Sequence, residues 1–206
     1  DPGDFHAALI QKTSYKDIDT SVDVDAPEGP EVKDFLNKIE GCNSRSENPT
    51  NWRVKIHFSE DYLEKMIAEK PGNVMVVSGK NSKKIDYILA AVNAGLNVYA
   101  DKPLVVNQQG FEKLKKVFKI AAEKNLLVYD IMTERFEVTT GLQKALSMQP
   151  EVFGMLIDGS PLEPSISKES IHHLSKIVSE KPLVRPAWFL DTNQQGEGIV
   201  DVTTHL

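Results

Sequence analysis

Helix-like and strand-like patterns of apolar residues alternate along the first two thirds of the chain. Apolar residues recur every three or four positions in the predicted helices, and they alternate or run continuously in the predicted strands. The predicted helices lie over residues 3–15, 31–39, 63–67, 82–94 and 109–124, and Gly95 is expected to end the fourth of them. The predicted strands lie over residues 21–26, 54–58, 73–78, 97–100 and 126–132, and residues 40–52 have the composition of a loop.

This alternation predicts βαβ units and a parallel sheet with ligands at the carboxyl ends of its strands. We expect a Rossmann-like dinucleotide-binding domain over residues 1–135. The rhythm then breaks, because a helix over 138–147 and a strand over 152–158 are followed by a proline-bearing stretch. The fold class is therefore α/β, with residues 136–206 as the first part of an α/β or α+β catalytic domain.

Composition excludes several classes of function. Of the 206 residues, 40% are hydrophobic and 26% charged, as in ordinary globular proteins, and the net charge of -6 disfavours a nucleic-acid surface. The single cysteine, Cys42, excludes an internal disulfide and leaves no thiolate set for a metal. No apolar run approaches the ~20 residues of a membrane span, and no targeting segment is visible. Both cytoplasm and periplasm remain open as the compartment of a soluble protein.

The segment NVYADKPL contains the first candidate for chemistry. Lys102 follows a predicted buried strand and precedes Pro103, which restricts the lysine backbone to extended conformations. At the carboxyl end of a strand, this arrangement directs an ammonium group to the place where α/β sheets bind ligands. A lysine in a surface turn would show the same local pattern.

The second candidate for chemistry lies in the segment QQGEGIVDVTTHL at the end of the chain. Asp201 and His205 are four residues apart and share one face of a predicted helix. A carboxylate beside an imidazole tunes it for proton transfer at neutral pH. An ordinary surface pair has the same spacing, and a metal site lacks further ligands, so we predict no metal.

Together these two segments resemble the Gfo/Idh/MocA oxidoreductases, named for glucose–fructose oxidoreductase and inositol dehydrogenase. The lysine of that family's EKP motif corresponds to Lys102, with Asp101 replacing the glutamate. The resemblance implies hydride transfer between a nicotinamide and a sugar or polyol alcohol. His205 would exchange the hydroxyl proton, and Lys102 would bind the substrate oxygen and the cofactor. Asp201 would set the protonation of His205 and Lys102.

The resemblance implies NAD or NADP as cofactor. Relatives usually carry G-x-G-x-x-G after the first strand, whereas this chain has DPGDFH, in which only Gly3 matches and Phe5 and His6 complete the turn. Asp25 or Glu28 would hold the adenosine ribose, and an acid there favours NAD. For each of these two acids, a solvated position at a strand end without ribose binding is an equal alternative.

Further contacts follow from the resemblance. Cofactor contacts are expected after the central strand and in the DKP segment, at Ser78, Gly79, Asn81, Asp101 and Lys102. Substrate contacts are expected at Arg135 and Trp188. The alternative for Arg135 is a structural role at the domain junction, and the alternative for Trp188 is a core aromatic. Lys84 occupies a position where many relatives have histidine, and we expect it on the helix surface.

Three functions remain open. The first is an NAD(P)-dependent oxidoreductase that acts on a sugar-like small molecule and forms a homo-oligomer when full length. The second is a glycoside-cleaving enzyme of the same fold that uses NAD transiently, and the third is a nucleotide-binding module without turnover. The chain resembles a fragment that lacks the first strand and most of the second domain. We therefore expect exposed apolar surface at the first sheet edge and around residues 153–206.

Overall fold

The computed structural model describes residues 5–132, 136–167, 175, 177–178, 181–182 and 184–198. Its strands are β1 Ser21–Ala26, β2 Arg53–Phe58, β3 Val74–Val77, β4 Asn97–Asp101, β5 Val128–Ile131, β6 Ile177–Val178 and β7 Lys181–Pro182. Its helices are α1 Phe5–Leu9, α2 Pro30–Ser44, α3 Tyr62–Glu69, α4 Asn81–Ala94, α5 Gln108–Lys124, α6 Val138–Ser147, α7 Pro150–Phe153 and α8 Thr192–Gln195. A 3₁₀ helix covers Ala187–Leu190.

Strands β1 to β5 form two parallel sheets, which confirms the predicted α/β class. β1 pairs with β2 from Ser21 opposite Arg53 to Ala26 opposite Phe58. The second sheet has the order β3-β4-β5, so β4 lies in its centre. Helices α2, α4 and α5 follow β1, β3 and β4 in the chain, as in repeated βαβ units.

The main core lies between the second sheet and helices α4 and α5. Ile88 and Val92 on α4, Ala100 on β4 and Val117 on α5 are fully buried. Gly95 ends α4 with a positive φ of 86°, and the N–H groups of Gly95 and Leu96 bond to carbonyls of its last turn. The glycine stop predicted from the sequence is therefore confirmed.

A second core lies between the first sheet and helix α2. Val32, Phe35 and Ile39 on α2 are buried there together with Trp52, which precedes β2. The Trp52 indole N–H donates to the backbone carbonyl of Gln11 at 2.6 Å. This bond attaches the turn after α1 to the start of β2.

The described residues form two compact units. The first contains residues 5–131 and also 186–198, a return of the chain that the division at residue 135 does not include. The second lies within residues 132–185. Its helix α6 begins after Glu137, whose carboxylate accepts hydrogen bonds from the Thr139 hydroxyl and from the N–H groups of Thr139 and Thr140, and these bonds lower the pKa of Glu137 to about 2.

Three predicted elements differ from the structure. The first helix ends already at Leu9, and α2 continues to Ser44 into the predicted loop. The strand predicted over 152–158 is wrong, because α7 reaches Phe153 and residues 154–160 have no regular structure. Among the described residues this apolar run has no partner strand, and β-propensity depends on such partners.

Exposed apolar side chains are frequent after residue 152, as predicted. The described ones include Phe153, Met155, Leu156, Ile157, Leu162, Ile166, Ile177, Val184 and Leu190. Within the described part of the chain, no helix has the length and apolar character that a bilayer crossing requires.

The buried face of α4 predicts a stability difference. We expect Ile88→Ala to lower the free energy of unfolding by about 2–5 kcal/mol, because it leaves a cavity at a site with 0% exposure. Leu127→Ala, at a side chain that is 74% exposed, should change it by less than about 0.5 kcal/mol. Urea denaturation of both variants measures this, and equal losses would contradict the assigned core.

The pairing of β1 with β2 predicts a histidine titration. His57 Nε2 lies 2.9 Å from Asp23 Oδ1, and this hydrogen bond raises the pKa of His57. The pair therefore stabilises the fold below a pH of about 6.5, and its contribution is lost as the pH rises through the folded pKa. NMR titration should show a pKa above 6.5 that falls in Asp23→Asn and is unchanged in the distant Asp86→Asn. A His57 pKa that is insensitive to Asp23→Asn would exclude the pair.

Candidate active site

The carboxyl ends of β3, β4 and β5 lie at one edge of their sheet, because the three strands are parallel. Ligands of open parallel sheets bind outside this edge. We call it the C-terminal edge, and it consists of the strand ends and the residues after them, 77–79, 101–103 and 131–132. Four candidate residues are located there as the sequence predicts: Ser78, Gly79, Asp101 and Lys102.

Lys102 directly follows the last residue of β4 and is half-buried. A cis peptide bond joins it to Pro103. The predicted location of this lysine at the C-terminal edge is therefore confirmed. Its chemical role remains a prediction.

The carboxylate of Asp101 is bound inside the protein from several directions. Its side chain is almost fully buried, at 4% exposure for the residue. Oδ1 forms an ion pair with the Lys84 ammonium, and Oδ2 accepts a hydrogen bond from Ser78 Oγ at 3.2 Å. His6 Nδ1 lies 3.6 Å from the same Oδ2. The side chains of Ser78 and His6 thus both contact the Asp101 carboxylate.

Lys84 on α4 is the cation of this cluster and has 0% exposure. Besides the Asp101 carboxylate, its Nζ donates to the Asp101 backbone carbonyl at 3.1 Å and to Asn81 Oδ1 at 2.6 Å. An ammonium group has three protons, and each has an acceptor here. Satisfied hydrogen bonds and a paired anion are what a buried charge requires.

The expected surface position of Lys84 is therefore wrong. Lysine is almost never fully buried without a partner, and the partner is 17 residues away on another element. One signal was available in the sequence. Lys84, Ile88 and Val92 follow at intervals of four, so the lysine lies on the apolar stripe of α4.

Asn81 connects this cluster to the returning segment 186–198. Its side chain is buried at the start of α4, where Oδ1 accepts from Lys84 and Nδ2 donates to the backbone carbonyl of Gln195 at 2.8 Å. Gln195, the last residue of α8, is also buried. Because the side chains of Asn81 and Ser78 have protein partners, their expected cofactor contacts would come from the backbone.

Trp188 lies in the same returning segment and is half-buried. The Nζ of Lys80 is 5.8 Å from the centre of its ring, within the range of a cation–π contact. Its indole Nε1 is buried and has no hydrogen-bond acceptor among the described residues. The predicted substrate contact of Trp188 remains a prediction.

The conformation after β3 suits a close backbone approach. Gly79 has a φ of 110°, a conformation that residues with a Cβ rarely adopt. Lys80 follows, and α4 begins at Asn81, so the free N–H groups of the helix start are next to this turn. Such a turn and helix start offer backbone donors that can bind an anionic group.

Asp25 and Glu28 lie at the carboxyl end of β1 in different environments. Asp25 is half-buried, and burial raises its pKa against the lowering effect of nearby His57. Glu28 is exposed after the strand. Asp25 therefore has the more defined position of the two candidate ribose ligands.

Several candidates lie outside the described residues: Gly3, Arg135, Asp201 and His205. Phe5 is the first residue of α1. The predicted catalytic triad is thus represented in the structure by Lys102 alone. In the described ranges no group of three or more His, Cys, Asp or Glu side chains is arranged to hold a metal ion.

Comparison with known proteins finds similarity to oxidoreductases. Residues 142–206 match the model of the family described as putative oxidoreductase C terminal domain. The whole chain is 56% identical to a putative oxidoreductase from Parabacteroides merdae, with a TM-score of 0.93, and it spans 47% of the length of that protein. No curated protein matches the chain.

Two more distant structures are similar over parts of the chain. Myo-inositol 2-dehydrogenase from Lactobacillus plantarum is 13% identical, with a TM-score of 0.47, over 65% of this chain and 42% of that one. The WlbA dehydrogenase from Bordetella pertussis, in complex with NADH and UDP-GlcNAcA, is 19% identical, with a TM-score of 0.38, over 55% and 31%.

The family match, the near-identical fold of the Parabacteroides protein and the Rossmann-like parallel sheet agree with the motifs around Lys102. The match of residues 142–206 to the oxidoreductase C-terminal domain model agrees with the predicted resemblance to the Gfo/Idh/MocA oxidoreductases.

Proposed function

We propose that this chain contains the cofactor-binding part of an NAD(P)-dependent oxidoreductase that acts on a sugar or polyol alcohol. The observation that carries the proposal is the position of Lys102 at the C-terminal edge, directly after a buried, ion-paired strand end. The close similarity to an oxidoreductase over the whole chain supports the same reaction class.

The described residues fit a dinucleotide. The positive φ of Gly79 and the start of α4 provide backbone donors for the pyrophosphate, and Asp25 provides an acceptor for ribose hydroxyls. A bound nicotinamide would supply the hydride acceptor or donor. Loss of the G-x-G-x-x-G pattern in DPGDFH moves more of the pyrophosphate contact to the turn after β3.

The residues of the chain would handle the proton. His205 takes the hydroxyl proton of the substrate, because an imidazole has a pKa near neutrality. Lys102 donates a hydrogen bond to the same oxygen and stabilises the negative charge that develops on it. Asp201 is four residues from His205 and orients the imidazole.

The proposal includes a small sugar-like substrate and a homo-oligomer. A sugar offers many hydroxyl groups to polar side chains, and Trp188 offers an aromatic surface for its apolar face. Apolar side chains exposed after residue 152 are candidates for burial against further protein.

The proposed roles predict different effects of two substitutions in the full-length protein. His205→Ala should lower kcat by about a hundredfold or more and leave the Kd for NADH nearly unchanged, because only proton transfer is lost. Lys102→Ala should lower kcat and also raise the Kd, since its side chain contacts both substrate and nicotinamide ribose. The assay follows NADH formation from NAD⁺ with a panel of hexoses, inositols and sugar nucleotides.

Exposed Lys83→Met is the control for a loss of positive charge and should behave as the unmodified protein. Unchanged turnover in His205→Ala would remove the proton-transfer role. NADH binding without oxidation of any alcohol would favour the binding module, and release of an aglycone from a glycoside would favour the glycoside-cleaving enzyme.

The position of Asp25 predicts the cofactor preference. A carboxylate accepts a hydrogen bond from the ribose 2′-hydroxyl of NAD and repels the 2′-phosphate of NADP. Asp25→Ser should therefore raise the Kd for NADH about tenfold or more and lower the ratio of the NADPH Kd to the NADH Kd. Isothermal titration at pH 8 is suitable, because burial raises the pKa of Asp25 and the charged form must dominate.

Glu28→Gln is the matched control, since Glu28 is the other acid at this strand end. Its Kd values should stay within about twofold of the unmodified protein. A shift of preference in Glu28→Gln alone would transfer the ribose contact to Glu28. Tighter binding of NADPH than NADH in the unmodified protein would contradict both assignments.

A further inference from the structure

The buried ammonium of Lys84 contacts the residue that immediately precedes Lys102. We infer that Lys84 is a positioning residue, which sets the location of the Lys102 ammonium for cofactor and substrate. The inference rests on the proposed function, because it concerns the same site. It assigns a role to a side chain that the motif around Lys102 does not contain.

The first argument is the geometry at the end of β4. The carbonyl of Asp101 belongs to the peptide unit whose nitrogen is that of Lys102, and this unit is planar. Lys84 Nζ holds the carbonyl oxygen at 3.1 Å and also pairs with the Asp101 carboxylate. Backbone and side chain of Asp101 are thus bound by one cation, so the direction in which the chain continues to Lys102 is fixed.

The second argument is the other side of the Asp101 carboxylate. Ser78 Oγ, at the end of β3, donates to Oδ2 at 3.2 Å, and His6 lies next to the same oxygen. The carboxylate is therefore held between two neighbouring strand ends and α4. A displacement of Asp101 would break bonds to several elements at once, and such a network resists small shifts.

The third argument is the link through Asn81. Lys84 donates to Asn81 Oδ1 at 2.6 Å, and Asn81 Nδ2 donates to the carbonyl of Gln195 at 2.8 Å. Gln195 ends α8 shortly before Asp201 in the sequence. The same ammonium thus connects the residue before Lys102 with the segment that leads to the other two proposed catalytic residues.

A residue that only filled space in the core would not need a charged group with several hydrogen-bond acceptors. Burying a charge is costly, and an apolar pair of similar volume is often equally stable. The ammonium adds directional bonds, because its three N–H groups bind acceptors of Asn81 on α4 and of Asp101 on β4. The role of the Lys84 ammonium is therefore to place Lys102, and not only to stabilise the fold.

A double-mutant cycle in the full-length protein tests the inference. Lys84→Met, Lys102→Ala and the double variant are compared by the Kd for NADH and by kcat with the alcohol of the panel that is oxidised fastest. Lys84→Met should lower kcat about tenfold to a hundredfold and raise the Kd in the same direction as Lys102→Ala, because a displacement of about 1 Å suffices for such losses. In the Lys102→Ala background it should cause a much smaller loss, since it acts mainly through Lys102. Lys83→Met, one position along α4 and exposed, is the control and should change neither value.

The outcomes separate the possible roles. Equal losses from Lys84→Met in both backgrounds, or no loss in either, would overturn the positioning role. Should Lys84→Met fail to fold, Lys84→Gln replaces it, because its amide is neutral and retains donors for Asp101; the same non-additivity is expected with a smaller loss, and additivity overturns the inference. No effect of Lys102→Ala itself would instead refute the proposed function, which distinguishes the two failures.

Discussion

The ion pair between Lys84 and Asp101 is the constraint on which the C-terminal edge depends. An unpaired charge in either position would cost several kcal/mol, so each residue requires the other. Their elements, α4 and β4, pack against each other through the same apolar face that contains Ile88 and Val92. The charge pair thus defines the register of the helix over the strand at one end, and the core fixes the rest.

This constraint divides the polar residues of the edge into two groups. The side chains of Ser78, Asn81 and Asp101 are buried and bind other protein groups. Lys102 is half-buried, and Gly79 presents backbone in a turn with positive φ. A ligand at this edge would therefore meet mainly backbone groups and the Lys102 ammonium. Such a division suits a dinucleotide site, where backbone N–H groups bind phosphate oxygens and few side chains give specificity.

The sequence predicted the elements whose signals are local. The apolar period of α4 with its Gly95 stop, and the continuous apolar run of β3, depend only on neighbouring residues. The spacing of Lys84 on the apolar stripe of α4 indicates its burial but not its partner Asp101. The return of residues 186–198 depends on a partner far along the chain, so no local pattern could reveal it. The wrong strand over 152–158 has the same cause, because Val152 and Ile157 have strand-like side chains but no neighbouring strand in the part of the chain that the structure describes.

The distance in sequence between the linked residues explains why a directional network suits this site. Asn81 and Gln195 are 114 positions apart, and α8 is only four residues long, so packing of that helix alone offers little to fix its position. Apolar contacts tolerate sliding, whereas a hydrogen bond weakens steeply with distance and angle. The Asn81 side chain is in turn bound by Lys84, which also pairs with Asp101. Through these bonds the returning segment is held at a fixed position relative to the end of β4, the strand end that Lys102 follows.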